Sequence, residues 1–250
     1  MGRRRKRSAR LVPLLLVIAL SALAAYVLTL RVEPAAPAPA APHEAGTLRV
    51  HYVDVGQGDG VFWELPDGSL VVYDCGPPAR DADANAMVRY ARDVLGRAPG
   101  SRIAALIASH GHLDHVGGCD ELFETYEVET VFEAWYEGAD APASYRRFLA
   151  AIEAEGARVR RLPELRVGDE IVPGATLLWP PSFAPGGWGA IAEASLVVRL
   201  RHGETSFCFQ GDIEWRQEAR LDGRCDVYLV GHHGSRHASS APWLARMSPR

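Results

Sequence analysis

The sequence predicts a mixed α/β domain behind a single apolar N-terminal segment. Three observations carry that reading. Short alternating strand patterns come first, joined by tight turns. One continuous apolar run, Ile103 to Ala108, is flanked by polar loops, as a buried strand is. Amphipathic helical stretches then separate the strands that follow. At 250 residues, 48% hydrophobic and 23% charged, the chain can form one large domain or two small ones and can bury a core.

In chain order, the first ten residues are a basic segment (Arg3, Arg4, Arg5, Lys6, Arg7, Arg10). Residues 11–30 carry no charge, and twenty apolar residues at about 1.5 Å each span roughly the 30 Å hydrocarbon core of a bilayer. The basic cluster places the N-terminus in the cytoplasm and the rest of the chain across the membrane. The expected segment is a single-pass transmembrane helix. The alternative is a signal sequence cleaved near Ala22-Leu23-Ala24, which would leave a secreted or periplasmic product. Residues 31–46 are a linker whose alternating Pro and Ala favour extended polyproline II. Residues 47–250 are the globular domain.

Within that domain, Leu48 to Val55 alternates as a strand. Val61 to Leu65 and Leu70 to Tyr73 are strands around the turn Pro66-Asp67-Gly68-Ser69. Asn85 to Leu95 reads as a helix and Ile103 to Ala108 as one buried strand. A short helix is expected after Gly118, a strand around Val128 to Ala134 and an amphipathic helix over Ala143 to Ala154. Ala157 to Leu162 and Glu170 to Leu178 look extended. Leu196 to Leu200 and Ser206 to Phe209 form a hairpin around His202-Gly203-Glu204. Glu214 to Leu221 is helical and Val227 to Val230 is a strand. There is no internal repeat.

Composition narrows the function classes. The formal net charge is −4, but the basic N-terminal segment masks a larger acidic excess in residues 47–250. That argues against a broad electropositive surface for nucleic acid. Four cysteines are too few for a disulfide scaffold, and Cys75, Cys119, Cys208 and Cys225 show no C-x-x-C spacing. They read as small buried residues. An exported location permits a disulfide, and the sequence assigns no pair.

The chemistry concentrates in SHGHLDHVGG at residues 109–118. His110, His112, Asp114 and His115 follow the buried strand and fall in a loop, free of helical constraint. His110 and His112 can face one side, Asp114 and His115 another. Imidazole and carboxylate donors suit zinc, iron or manganese. Gly211-Asp212 and His232-His233-Gly234-Ser235 each follow a further strand, and together they supply donors for two metals.

H-x-H-x-D-H is the signature of the metallo-β-lactamase fold. The blocks DVGQGD (Asp54 to Asp59), YDCG (Tyr73 to Gly76), SHGHLDHVGG, SLVVRL (Ser195 to Leu200), FQGDIE (Phe209 to Glu214) and HHGSRHASS (His232 to Ser240) occur in family order. In this the chain resembles the hydrolase domain of ComEC-type DNA-uptake (competence) proteins. The resemblance implies an αββα sandwich with a site for two divalent metal ions, zinc or manganese, at one edge. By position, His110 and His112 bind the first metal, Asp114 and His115 the second together with one of His232 and His233, and Asp212 bridges both. Asp59 and Asp74 would orient the ligand loops, and Gly56 and Gly58 permit a tight turn beside the site.

Three departures stand out. Ala194 occupies a position where related domains carry a histidine or asparagine. The chain ends at Pro249-Arg250, where related domains continue with further strands, so a shortened C-terminus is expected. The multi-helix membrane channel of competence proteins has no counterpart here. The expected function is an exported, membrane-anchored, metal-dependent phosphodiesterase or nuclease-like hydrolase. Asp114 would orient the attacking water, and whichever of His232 and His233 is not a ligand would assist catalysis by proton donation. The alternatives are a hydrolase of lactones, β-lactams or small phosphoesters, or a non-catalytic metal-binding module of a DNA-uptake or other envelope complex. The expected partners are the cytoplasmic membrane and a small-molecule or nucleic-acid phosphodiester.

Overall fold

Strand alternation dictates the layering. In the computed structural model, which describes residues 38–79, 84–134, 136, 138–162, 164–180 and 187–250, β1 (Arg49–Tyr52), β2 (Gly60–Glu64) and β3 (Leu70–Cys75) run antiparallel. Two short strands, β4 (Arg102–Ile103) and β6 (Glu127–Val128), pair in parallel beside the main sheet. β5 (Ala105–Ala108), β7 (Thr130–Glu133) and β8 (Arg158–Arg161) extend the main sheet in parallel, giving the order β1-β2-β3-β5-β7-β8. The second sheet holds β9 (Glu170–Val172), β10 (Ala175–Trp179), β11 (Val197–His202), β12 (Thr205–Phe209) and β13 (Val227–Tyr228) in the order β13-β12-β11-β10-β9.

Successive side chains of a strand point to opposite faces. Val61 and Trp63, Val71 and Tyr73, and Ala105 and Ile107 therefore face one way. They meet Leu177, Val198, Leu200 and Phe209 of the second sheet in a dry inter-sheet core. Trp63 packs on Phe209 at a centroid distance of 4.7 Å and Tyr73 at 5.2 Å. Each such ring, fully buried, contributes about 2–3 kcal/mol. The Tyr73 hydroxyl donates to the Leu196 carbonyl at 3.0 Å, a hydrogen bond from one sheet to the other.

The opposite residues, Phe62, Leu70, Val72, Leu106 and Ala108, lie under α1 (Ala86–Asp93), α3 (Cys119–Thr125) and α4 (Ala143–Glu155). A single helical turn, α2 (Leu113–Val116), precedes α3. The Asn85 side chain caps α1 by accepting from Met87 N at 2.7 Å. A bulge between Leu177 and Trp179 turns Trp179 to the outer face of the second sheet. There it joins Val197 and Cys208 against Trp243 and Met247 of α6 (Ala241–Met247). The remaining helix, α5 (Trp215–Glu218), follows β12. The order of layers is helix, sheet, sheet, helix, as the resemblance implied.

Several expectations are corrected. The run Ile103 to Ala108 is two strands: the chain bends at Ala104, so that β4 pairs with β6 and β5 with β3, while the Ala104 N–H still reaches Leu70 O of β3. Val128 to Ala134 is likewise split into β6 and β7, and Glu170 to Leu178 folds back as the β9–β10 hairpin. The helix expected over Glu214 to Leu221 is confined to Trp215–Glu218. All four cysteines are buried, as expected, but they are paired, Cys75 with Cys119 and Cys208 with Cys225. The expected transmembrane helix at 11–30 lies outside the described residues. Among the described residues no helix is long and apolar enough to cross a membrane.

Candidate metal centre

Four strands deliver the site, each from its C-terminal end. β3 carries Asp74 in its last two residues, β5 runs into Ser109 and the histidine loop, β12 into Gly211-Asp212, and β13 leads to Gly231–Gly234. Parallel pairing of β3 with β5 and of β12 with β13 puts all four ends on one edge of the sandwich. The histidine loop is not wholly irregular. Asp114 and His115 sit on the single turn of α2, which brings the His115 ring to 4.1 Å from that of His110, centroid to centroid.

Two close approaches need glycine. A Cβ on Gly58, at φ 139°, would come within 2.1 Å of the Asp114 carbonyl oxygen. A Cβ on Gly211, at φ 55°, would press between Ser195 and Ser109. His232 and His233 are both left-handed, at φ 49° and 51°. Strain of this kind in consecutive non-glycine residues persists where the surroundings fix it, commonly at functional sites.

Asp212 is the hub, and it is buried. Its Oδ1 lies 3.2 Å from His115 Nε2 and 3.4 Å from His233 Nε2; its Oδ2 lies 3.7 Å from His110 Nε2 and 3.6 Å from His232 Nε2. Donor atoms of His110, His112 and Asp212 fall within 4.8 Å of one another, and so do those of Asp59, His115, Asp212 and His233. Asp114 is at the rim, with Oδ2 3.4 Å from His233 Nε2 and Oδ1 4.0 Å from His115 Nε2. His232 belongs to neither group. Its side chain is 35% exposed, and its Nδ1 lies 3.4 Å from Glu214 Oε1.

The outward ring nitrogens are occupied. His115 Nδ1 is 2.8 Å from Asp74 Oδ2, and His233 Nδ1 is 3.3 Å from Asp59 Oδ1. His110 Nδ1 lies 3.1 Å from Ser109 Oγ and 3.3 Å from Ser195 Oγ. Carboxylates and hydroxyls behind an imidazole fix its tautomer and leave the other nitrogen's lone pair for a cation. Asp59 and Asp74 thus lie behind the His233 and His115 rings, and Asp59 also enters the second donor group. Ser109, Ser195 and Glu214 were given no role by sequence reasoning. Each lies inside one of the six motif blocks, and that was the available signal.

The electrostatics fit divalent cations. Burial alone would push His115 down, but Asp74 and Asp212 hold it well above the ordinary histidine value. Hydrogen bonds to Asp114, Asp212 and Asp59 push His233 up to about 12. Burial pushes His110 well down, and His112 is also lowered by burial. Burial would raise Asp212, yet the hydrogen bonds of His115 and His233 bring it far below the carboxylate range. Burial lifts Asp74 to about 6 against the pull of His115. His115 Nε2 faces His233 Nε2 at 3.1 Å. Two such nitrogens cannot both carry protons at that distance, whereas a cation between them satisfies both. Asp59 Oδ2 is buried without a hydrogen-bond partner, which the same cation would supply.

Known proteins give the same picture. A family model described as the metallo-beta-lactamase superfamily matches residues 53–249. The chain is 23% identical over 219 residues to ComE operon protein 3 of Bacillus subtilis (strain 168), covering 80% of this chain and 27% of that protein. It is 26% identical over 213 residues to Recombination protein 2 of Haemophilus influenzae, covering 81% of this chain and 23% of that protein. The chain thus spans about a quarter of the length of these relatives, in line with the resemblance read from the six blocks. Among solved structures, a subclass B3 metallo-beta-lactamase from a soil metagenome library superposes with a TM-score of 0.49 at 15% identity, over 79% of this chain and 81% of that one.

Proposed function

The chain belongs to the metallo-β-lactamase superfamily, and from that premise we propose that it is a metal-dependent phosphodiesterase working on the outer side of the cytoplasmic membrane. The observation that carries the metal chemistry is the Asp212 carboxylate, buried, with one oxygen toward His115 and His233 and the other toward His110. In this reading His110, His112 and Asp212 hold one ion. His115, His233, Asp212 and Asp114 hold the other. Two zinc or manganese ions in these positions would lower the pKa of a shared water toward neutrality and neutralise charge on a phosphoryl oxygen. Asp114, partly exposed at the rim, would orient the attacking water. His232 faces the open side beside Asp212, where its Nε2 can hand a proton to the leaving oxygen.

The phosphodiester substrate class is supported by the resemblance to ComEC-type DNA-uptake domains and by the likeness to Recombination protein 2 of Haemophilus influenzae. The acidic domain favours transient contact with such a polyanion over tight, sequence-indifferent binding. Two disulfides and an apolar run preceded by arginines favour an exported location.

The test uses the full chain, purified in detergent and loaded with zinc or manganese. Initial rates are compared on bis(p-nitrophenyl) phosphate, single-stranded DNA, a phosphomonoester, a lactone and a β-lactam. The expected result is turnover of the two phosphodiesters, lost with a chelator and with Asp114→Ala. Preferential cleavage of the lactone or lactam would reassign the substrate. A fully metal-loaded chain that cleaves nothing would be a metal-binding module, a reading favoured by the methyl group at Ala194 where relatives carry a donor.

A further inference from the structure

The histidine loop leaves β5 at Ser109 and ends at Cys119, and both ends are tied to two adjacent residues of β3. At the near end, Asp74 accepts from Ser109 N and Ser109 Oγ, each at 2.7 Å, and also receives His115 Nδ1. At the far end, Cys75 is bonded to Cys119, with Cα atoms 5.3 Å apart. Both cysteines are fully buried. The far end is also held by Gly118 N, which donates to Gly76 O at 3.0 Å, by Glu121 Oε2, which accepts from Asn85 N at 2.7 Å, and by Leu122 and Phe123 in the core. Asp74 itself is held at φ 56°, a left-handed conformation that a residue with a side chain adopts at a cost. The disulfide follows it directly.

The second disulfide is placed differently. Cys208 lies inside β12, which is paired on both sides, and packs with Cys225 against Trp243 and Met247 on the outer face. Asp212, four residues on, is held by its own N–H on Ser195 Oγ at 3.1 Å. Its position does not depend on the bond.

We propose that the Cys75–Cys119 disulfide is a positioning element of the metal centre, so that the centre takes up its ions tightly only after the chain has been oxidised. The proposal rests on the exported, metal-binding reading above and adds a regulation of that site. The oxidising step is thiol–disulfide exchange with a small-molecule or protein disulfide. The Cys75 and Cys119 thiols each lose a proton and together give two electrons. The Cys75–Cys119 sulfur–sulfur bond forms, and the bond in the oxidant breaks and leaves as two thiols. In a reducing cytoplasm the bond is open, Asp74 is free to leave its left-handed conformation, and His115 loses the acceptor that aims it. A hydrolase of phosphodiesters is thereby kept weakly metallated until it has crossed the membrane.

The test reads metal affinity, with no substrate present, so it stands apart from any failure of the phosphodiesterase reading. Manganese and zinc dissociation constants are measured for the full chain oxidised, for the same chain reduced with a phosphine, for Cys75→Ala/Cys119→Ala, and for Cys208→Ala/Cys225→Ala. Far-UV circular dichroism and a thermal melt accompany each. The expected result is at least about a tenfold loss of affinity in the reduced chain and in Cys75→Ala/Cys119→Ala while both remain folded. Cys208→Ala/Cys225→Ala should melt earlier yet bind within about twofold of the oxidised chain. Affinity within twofold in a folded Cys75→Ala/Cys119→Ala chain overturns the proposal, and so does an equal loss in the control. Unfolding of the wild-type chain on reduction also overturns it, since the bond would then hold the fold and not the loop.

Discussion

Replacing Asp74 by Asn isolates how one buried carboxylate sets the character of a metal ligand. Asparagine keeps the size of the side chain and tolerates the left-handed backbone at φ 56°. What changes is the pattern of donors and acceptors. Asp74 receives three hydrogens, from Ser109 N, Ser109 Oγ and His115 Nδ1. Asn offers one oxygen and one amide nitrogen. If the oxygen stays on the Ser109 N–H, the amide faces His115 Nδ1, donor against donor. The proton of His115 must then move to Nε2, the nitrogen that faces Asp212 at 3.2 Å and His233 at 3.1 Å. That nitrogen can no longer give a lone pair to a cation. Loss of an orienting partner of this kind costs about 10–100-fold in metal affinity, or about 1.4–2.7 kcal/mol. Loss of a hydrogen bond to a charged group costs about 1.5–3 kcal/mol of stability besides. The assay is metal titration of the folded chain, with urea unfolding of the metal-free form alongside. Affinity unchanged within twofold, together with the expected loss of stability, would show that Asp74 supports the loop without setting the tautomer of His115, and the argument would fail.

Metal binding should release protons. His115 and His233 are both held above their ordinary values, the latter at about 12, but their Nε2 atoms face each other at 3.1 Å and cannot both carry a proton, so a cation must displace roughly one proton from the pair. Calorimetric titration in buffers of different ionisation enthalpy measures the number, and release near zero would contradict the assignment. Because these pKa values are raised on folding, their contribution to metal-free stability is full below the unfolded value near 6.5 and falls as pH rises toward the folded values. The metal-free chain should therefore weaken between pH 7 and 10, as read by urea midpoints. Asp212→Asn should empty both metal positions, whereas His112→Ala should empty one. Elemental analysis showing one ion fully retained in Asp212→Asn would mean that the carboxylate is not shared.

The strands β2 and β3 were legible because two apolar runs around Pro66-Asp67-Gly68-Ser69 are a local signal. Which face each side chain takes was not, since both strands are apolar and buried throughout. The ligand residues were legible for a different reason: a cluster of imidazoles and carboxylates beside a buried strand has few uses other than metal. Breaks in regular structure were not legible. Ala104 is apolar like its neighbours, and the bend there appears only once β4 pairs with β6 and β5 with β3. The split between His232 and His233 was equally hidden. Two identical residues side by side differ only once the left-handed backbone sends one toward Asp59 and the other toward Glu214. The cysteine pairs bring together residues 44 and 17 positions apart, and no local pattern encodes such distances.

The site draws its donors from both halves of the sandwich: His110, His112 and His115 from the loop after β5 of the first sheet, Asp212 and His233 from the loops after β12 and β13 of the second. Apart from the shared apolar core, the halves are joined near this edge by single hydrogen bonds such as Tyr73 to Leu196 and Leu196 N to Ser109 O. A cation held by both halves is therefore a rivet. At a free concentration one hundred times its dissociation constant, an ion adds about 2.7 kcal/mol to the work of pulling the sheets apart. The resistance of this edge to opening, and to any protease that waits for it to open, then follows the metal supply of the surrounding compartment.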